Sequence, residues 1–149
     1  MKVRIYPTMK QKEILNEWFN TSNYVYNKTV EAIENGNKVN FQQLRDLLVT
    51  NDTKKLNQED IEQSNKIKEL QKMEKTEEIL EKIKNEKLKL KNLRKTLTSM
   101  KNPNIQEWEL NTPKDVRAGA VNDVIKAYKT GFSNLKNGNI RYFKLQFRK

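Results

Sequence analysis

Along residues 9–35 the apolar positions Ile14, Leu15, Trp18, Phe19, Val25, Tyr26, Val30 and Ile33 recur at helical spacing and share one face. In front of them Thr8-Met9-Lys10-Gln11 has the form of a capping box with Thr8 as N-cap, and Gly36 supplies the stop. Asn40-Phe41-Gln42-Gln43 repeats the capping logic ahead of a shorter helix over about 41–49, with Phe41, Leu44, Leu47 and Leu48 on one side. Residues 50–57 read as a loop. Residues 58–100 are strongly helical in propensity but carry a thin stripe: Ile61, Leu70, Met73, Leu80, Ile83, Leu90, Leu93, Leu97 and Met100. This predicts a long solvated helix or a helical pair split near Thr76. Glu69, Thr76, Glu86 and Lys87 interrupt the seam, which argues against a sustained coiled coil.

Asn102-Pro103-Asn104 breaks this stretch. Thr112 as N-cap, Pro113 at the first helical position and Asp115 at the third then open a helix over 113–137. Val116, Ala120, Val124, Tyr128, Phe132 and Leu135 form its stripe, and Gly138 ends it. Two segments alternate with period two and read as strands: Lys2-Val3-Arg4-Ile5-Tyr6, and residues 139–148, where Phe143, Leu145 and Phe147 share a face. The expected fold is therefore mainly α, of α+β type, with one strand at each end and helices between. Two strands alone make a marginal sheet. They are expected to be adjacent, and their apolar face asks for a further layer, which suggests a fragment of something larger.

Charge sharpens this picture. The net charge of the 149 residues is +11, but it is uneven. Residues 112–149 hold nine Lys and Arg against Asp115 and Asp123, giving +7; residues 1–111 hold 21 basic and 17 acidic residues, giving +4. A concentrated basic patch attracts phosphate backbones through counterion release. The chain has no Cys and no His, so thiolate zinc sites, disulfides, catalytic triads and Cys nucleophiles are excluded for these residues. No apolar run reaches membrane-spanning length, and the amino terminus lacks the apolar core of a signal peptide. An intracellular protein without a membrane partner is expected.

Only carboxylates remain as acid–base candidates. Asp115 is explained as a helix cap, Asp123 has no acidic neighbour beyond a turn, and the others lie mostly among lysines at helical spacing. Two-metal phosphodiester chemistry needs clustered carboxylates from separate elements. No catalytic residue, metal ligand or cofactor site is assigned. Binding candidates are richer. Lys126 and Lys129, with Asn122 and Ser133, face away from the apolar stripe of their helix, and Lys136 continues near that face. With Arg141, Lys144 and Arg148 they could line a phosphate track. Arg117 projects into the apolar arc, where a snorkelling or locally paired structural role is the better reading. Tyr24 lies among Asn16, Asn20, Asn27 and Lys28 on the polar side of the first helix, placed either to stack on a base or to pack on a neighbouring helix.

These residues together resemble the amino-terminal region of the TnpB proteins and their eukaryotic and giant-virus relatives, the Fanzors. The resemblance rests on Val-Arg-Ile-Tyr-Pro-Thr at 3–8, Gln11, Trp18 and Tyr-Val-Tyr-Asn at 24–27. It resumes with Thr-Pro-Lys-Asp-Val-Arg at 112–117, Ala127-Tyr128-Lys129 and the basic aromatic segment 141–148. It covers about half of the chain. Ser22-Asn23 departs from the Cys-Arg pair that many members carry there, and 58–100 matches nothing in the pattern. The resemblance implies a helical recognition lobe (9–138) inserted between two strands, 1–8 and 139–149, of an incomplete wedge β-barrel. It also implies guide-type RNA and DNA as partners. The family's nuclease domain, with its three acidic metal ligands, would follow Lys149, and a separately encoded nuclease part would be a further partner. The expected function is that of a nucleic-acid-binding amino-terminal fragment of a TnpB- or Fanzor-like transposase or RNA-guided DNA endonuclease, not an enzyme on its own. The rival is a helical protein-interaction module that uses the 58–100 helix.

Overall fold

A computed structural model describes residues 2, 4–53 and 57–149. The chain forms two units, residues 1–49 with 104–149, and residues 50–103. Its α-helices are α1 (Met9–Glu34), α2 (Phe41–Leu48), α3 (Gln58–Lys72), α4 (Glu77–Ser99) and α5 (Lys114–Lys136), with a short 3-10 helix at Glu107–Asn111.

In the first unit, α1 begins where its capping box is complete. The Thr8 side chain accepts from the Gln11 backbone N–H at 3.3 Å, and the Gln11 side chain accepts from the Thr8 N–H at 2.8 Å. Asn40 caps α2 by accepting from Gln43 N–H at 3.0 Å. Gly36, at φ +101°, turns the chain out of α1 in a conformation that other residues rarely adopt. The core gathers Val25, Tyr26 and Val30 of α1, Leu44 and Leu48 of α2, Val49, and Ala120, Val121, Val124, Ile125 and Tyr128 of α5. Val25, Val30, Val121 and Val124 have no exposed surface; each such side chain contributes about 1.5–3 kcal/mol.

α1 and α5 run in the same direction. The Thr112 hydroxyl, just ahead of α5, donates to the Thr21 hydroxyl at 2.9 Å, and Thr21 donates in turn to the Glu17 carbonyl. Farther along both helices, burial and then the Glu34 carboxylate push the Tyr128 phenol pKa up. Thr112 is therefore not the side-chain cap of α5 that the sequence suggests. Its hydroxyl joins two helices, while the Pro113 carbonyl accepts the first helical N–H bonds, from Val116 and Arg117.

Among the described residues the two expected strands do not form. Residues 2 and 4–7 and the 139–149 segment lie outside regular structure, and among the described residues β-pairing is limited to an isolated bridge, Asp52 with Lys101. Met1 and Val3 of the expected first strand lie outside the described residues. Alternation reports an extended chain, not a partner. Residues 139–149 do alternate, with Phe143 and Leu145 half-buried against the helical core and Lys144 and Gln146 outside. Side-chain packing on helices takes the place of a ladder. The described residues are mainly helical and give the expected inserted-wedge architecture no support. A second correction concerns α1. Only its second half is core. Ile14 and Phe19 are exposed, and Trp18 and Leu15 are half-buried in an open apolar cleft with Ile5, Tyr6, Pro7, Gln11 and Ile14.

The second unit is a helical pair, not one long helix. Thr76 caps α4, accepting from Ile79 N–H at 3.4 Å. Ile67 and Leu97 are its buried apolar residues, and Arg94 donates to Asp60 and to Ser64 (3.0 Å) across the pair. Gln63 donates to Glu86, and with Lys89 and Lys66 it holds that carboxyl down to about 2. The ends of the unit meet where Asn102 donates from its backbone to Asn51 O (2.7 Å) and from its side chain to Thr50 O (2.9 Å). Lys54, Lys55 and Leu56 of the expected loop lie outside the described residues. The 58–100 stretch that the rival interaction reading uses is thus a pair of helices, α3 and α4.

Candidate nucleic-acid interface

α5 offers a row of cations because its apolar residues are spent on one side. Ala120, Val121, Val124, Ile125 and Tyr128 are buried with Arg117 and Gly131 on that side, which leaves the opposite side to water. Lys126, Lys129, Ser133 and Lys136 recur at i, i+3, i+7 and i+10 and are all exposed, while Asn122 is half-buried. Gly138, at φ +72°, ends the helix, and its N–H donates to Leu135 O at 3.1 Å. The chain then doubles back along α5. Phe143 packs edge-on against Tyr128 (5.6 Å) and Phe132 (6.1 Å). Its ring occupies the space over Gly131, so that a Cβ there would lie 2.5 Å from ring atoms. Arg141 and Lys144 on this returning segment are exposed. Lys126, Lys129, Lys136, Arg141 and Lys144 have no acidic partner among the described residues.

Arg148 behaves differently. Its guanidinium lies 3.9 Å from the ring centroid of buried Tyr26 and 3.6 Å from Asp123. Its backbone is clamped by Asn27, whose amide donates to Arg148 O (2.8 Å) and accepts from Arg148 N–H (2.7 Å); Asn23 donates to Lys149 O (3.1 Å). These asparagines read as solvated polar residues because their partners lie more than a hundred positions away. Ser22-Asn23, where the sequence departs from the family pattern, thus supplies a backbone contact. Phe147, expected on the inward face, is exposed.

A buried ionic group joins α1 to the 3-10 helix. Lys28 Nζ donates to both carboxylate oxygens of Glu109 (2.9 and 2.8 Å) and to Asn104 O (2.9 Å). Glu109 also accepts from Gln106 N–H at 2.9 Å. Burial lowers the Lys28 pKa, and the Glu109 hydrogen bond opposes that shift. Arg117 is buried and donates to Thr112 O and Val49 O, both at 3.1 Å, so its intrusion into the apolar arc is met by local carbonyls. Tyr24 is partly exposed. It packs edge-on against Trp108 at 4.8 Å, and the Lys28 ammonium lies 5.2 Å from its ring centroid. Among the described residues no group of three or more His, Cys, Asp or Glu could hold a metal ion, and no helix is long and apolar enough to cross a membrane.

The seat of Phe143 on Gly131 gives a direct prediction. Gly131→Ala should push the ring out and loosen residues 139–149, at a cost of about 1–3 kcal/mol. Trypsin should then cut after Arg141 and Lys144 faster, with helical circular dichroism retained; unchanged cleavage rates would show that the ring is not held there.

No curated protein and no solved structure matches the chain. Residues 1–36 match the family model HTH_OrfB_IS605, described as a helix-turn-helix domain. The match covers the opening block of the sequence and less than half of the chain. Within it the described residues form one helix, α1; the next, α2, begins at Phe41.

Proposed function

We propose that this chain is a nucleic-acid-binding amino-terminal part of a TnpB- or Fanzor-type transposon protein, and that it binds without cutting. The observation that carries the reading is the row of exposed cations along α5 and the returning segment, without acidic partners among the described residues. Lys126, Lys129, Lys136, Arg141 and Lys144 hold the phosphate backbone of RNA; Arg148 and Asn27 fasten the segment that carries two of them. The match of residues 1–36 to a transposon-type helix-turn-helix model supports the same class. A recognition helix set in a major groove is a weaker mechanism here, because the matched residues make a single helix whose second half is core.

Fluorescence anisotropy with labelled single-stranded RNA at increasing salt tests the proposal. Five phosphate contacts predict a slope of log K against log salt of about −3.5. A slope near zero would contradict a backbone-binding role.

A further inference from the structure

Between α1 and the carboxy-terminal segment lies a cavity of about 330 Å³ lined by Tyr24, Asn27, Lys28, Glu31 and Phe147. We propose that this cavity takes one unpaired nucleobase and prefers guanine. The proposal rests on the nucleic-acid-binding reading and adds a base-specific site to it. The walls are aromatic: Phe147 is 57% exposed and Tyr24 39%. Exposed aromatic rings at a basic surface are stacking platforms for single strands.

The choice of base follows from which polar groups remain uncommitted. Asn27 holds the Arg148 backbone with one of its two amide N–H donors and with its carbonyl oxygen. The three ammonium hydrogens of Lys28 are matched by three acceptors, two on Glu109 and one on Asn104. Glu31 is exposed, and its carboxylate has no partner among the described residues. The uncommitted charged group that the cavity offers a base is therefore a carboxylate, which only accepts hydrogen bonds. Guanine alone presents two adjacent donors, N1–H and the N2 amine, on its Watson–Crick edge. Adenine and cytosine set one amine beside an acceptor, and uracil sets one N–H between two acceptors. A carboxylate that would repel a phosphate thus fits a guanine edge.

The test uses the full chain and RNAs of about nine nucleotides, all uridine except for one central guanine, inosine, adenine or cytosine. The guanine RNA should bind about tenfold more tightly than the adenine RNA. Inosine, which lacks the N2 amine, should fall between. Glu31→Gln should erase the guanine preference and leave the salt slope unchanged. Tyr24→Leu should weaken every RNA about tenfold, with Tyr24→Phe close to the unaltered chain. If Tyr24→Leu does not fold, Phe147→Ala on the exposed segment reads the same wall. Salt-dependent binding with equal affinity for all four RNAs, or a preference that survives Glu31→Gln, overturns the guanine site and leaves the cation row standing. Absence of RNA binding altogether overturns both.

Discussion

Replacing Glu109 by alanine is expected to lower the unfolding free energy by about 3–5 kcal/mol, a large share of the stability of a chain this size. Glu109 has no exposed surface, and Lys28 reaches it with its side chain mostly buried. The variant leaves that ammonium without a carboxylate, with the Asn104 carbonyl and the Tyr24 ring as its neighbours, and leaves the Gln106 N–H without its acceptor. Most of the cost is the uncompensated charge, not the lost attraction. The paired change Lys28→Met with Glu109→Leu should therefore cost far less than Glu109→Ala alone. The sign of the pH dependence follows from the same groups. Burial already lowers the Lys28 pKa, and without Glu109 nothing of comparable strength opposes it. The folded variant would then bind fewer protons than its unfolded chain, so its stability should rise as the pH climbs through the lowered folded value. Urea unfolding at neutral and alkaline pH checks both points. A loss under about 1 kcal/mol, or a loss that grows toward alkaline pH, would show that the pair is not buried as described.

This ionic group also shows where sequence reading ends. Glu109 stands in an unremarkable Gln-Glu-Trp-Glu stretch, and its partner precedes it by 81 positions. No local pattern couples them. Helix starts are different, because a cap is a local device: Thr8, Asn40 and Thr76 announce α1, α2 and α4 from the residues that follow each. Thr112 carried the same signal, yet its hydroxyl serves Thr21, a partner 91 positions away. The alternation of 139–148 correctly reports an extended chain with Phe143 and Leu145 turned inward. What covers them is α5 and its neighbours, and period two is silent on that. The cation row was legible because charge and helical phase are both written in the sequence. The removal of Arg148 from it was not, since Tyr26 and Asp123 reach it only in the fold. The exposed first half of α1 shows the same limit: apolar periodicity marks a face able to be buried, and the described residues bury half of it.

The second large effect is expected at the cation row. Reversing Lys129, Arg141 and Lys144 to glutamate removes three of five proposed contacts and sets three anions among phosphates. The affinity for single-stranded RNA should fall more than tenfold at low salt, and the slope should flatten from about −3.5 to about −1.4. A matched control reverses Lys82, Lys84 and Lys89 on α4. Lys82 already pairs with Glu78 at 2.7 Å and Lys89 with Glu86 at 3.1 Å. The Lys82–Glu78 pair is exposed and contributes little to stability, and Glu86, which is nearly buried, keeps Gln63 and Lys66 as partners when Lys89 is replaced, so the helical pair should persist. Both variants change the net charge equally, which separates a placed track from a diffuse cloud. The decisive measurement is the salt slope of RNA binding for the two triple variants side by side. The account predicts a flattened slope and weakened binding for the α5 and 141–144 reversal, with the α4 reversal close to the unaltered chain. Equal losses in both would contradict it.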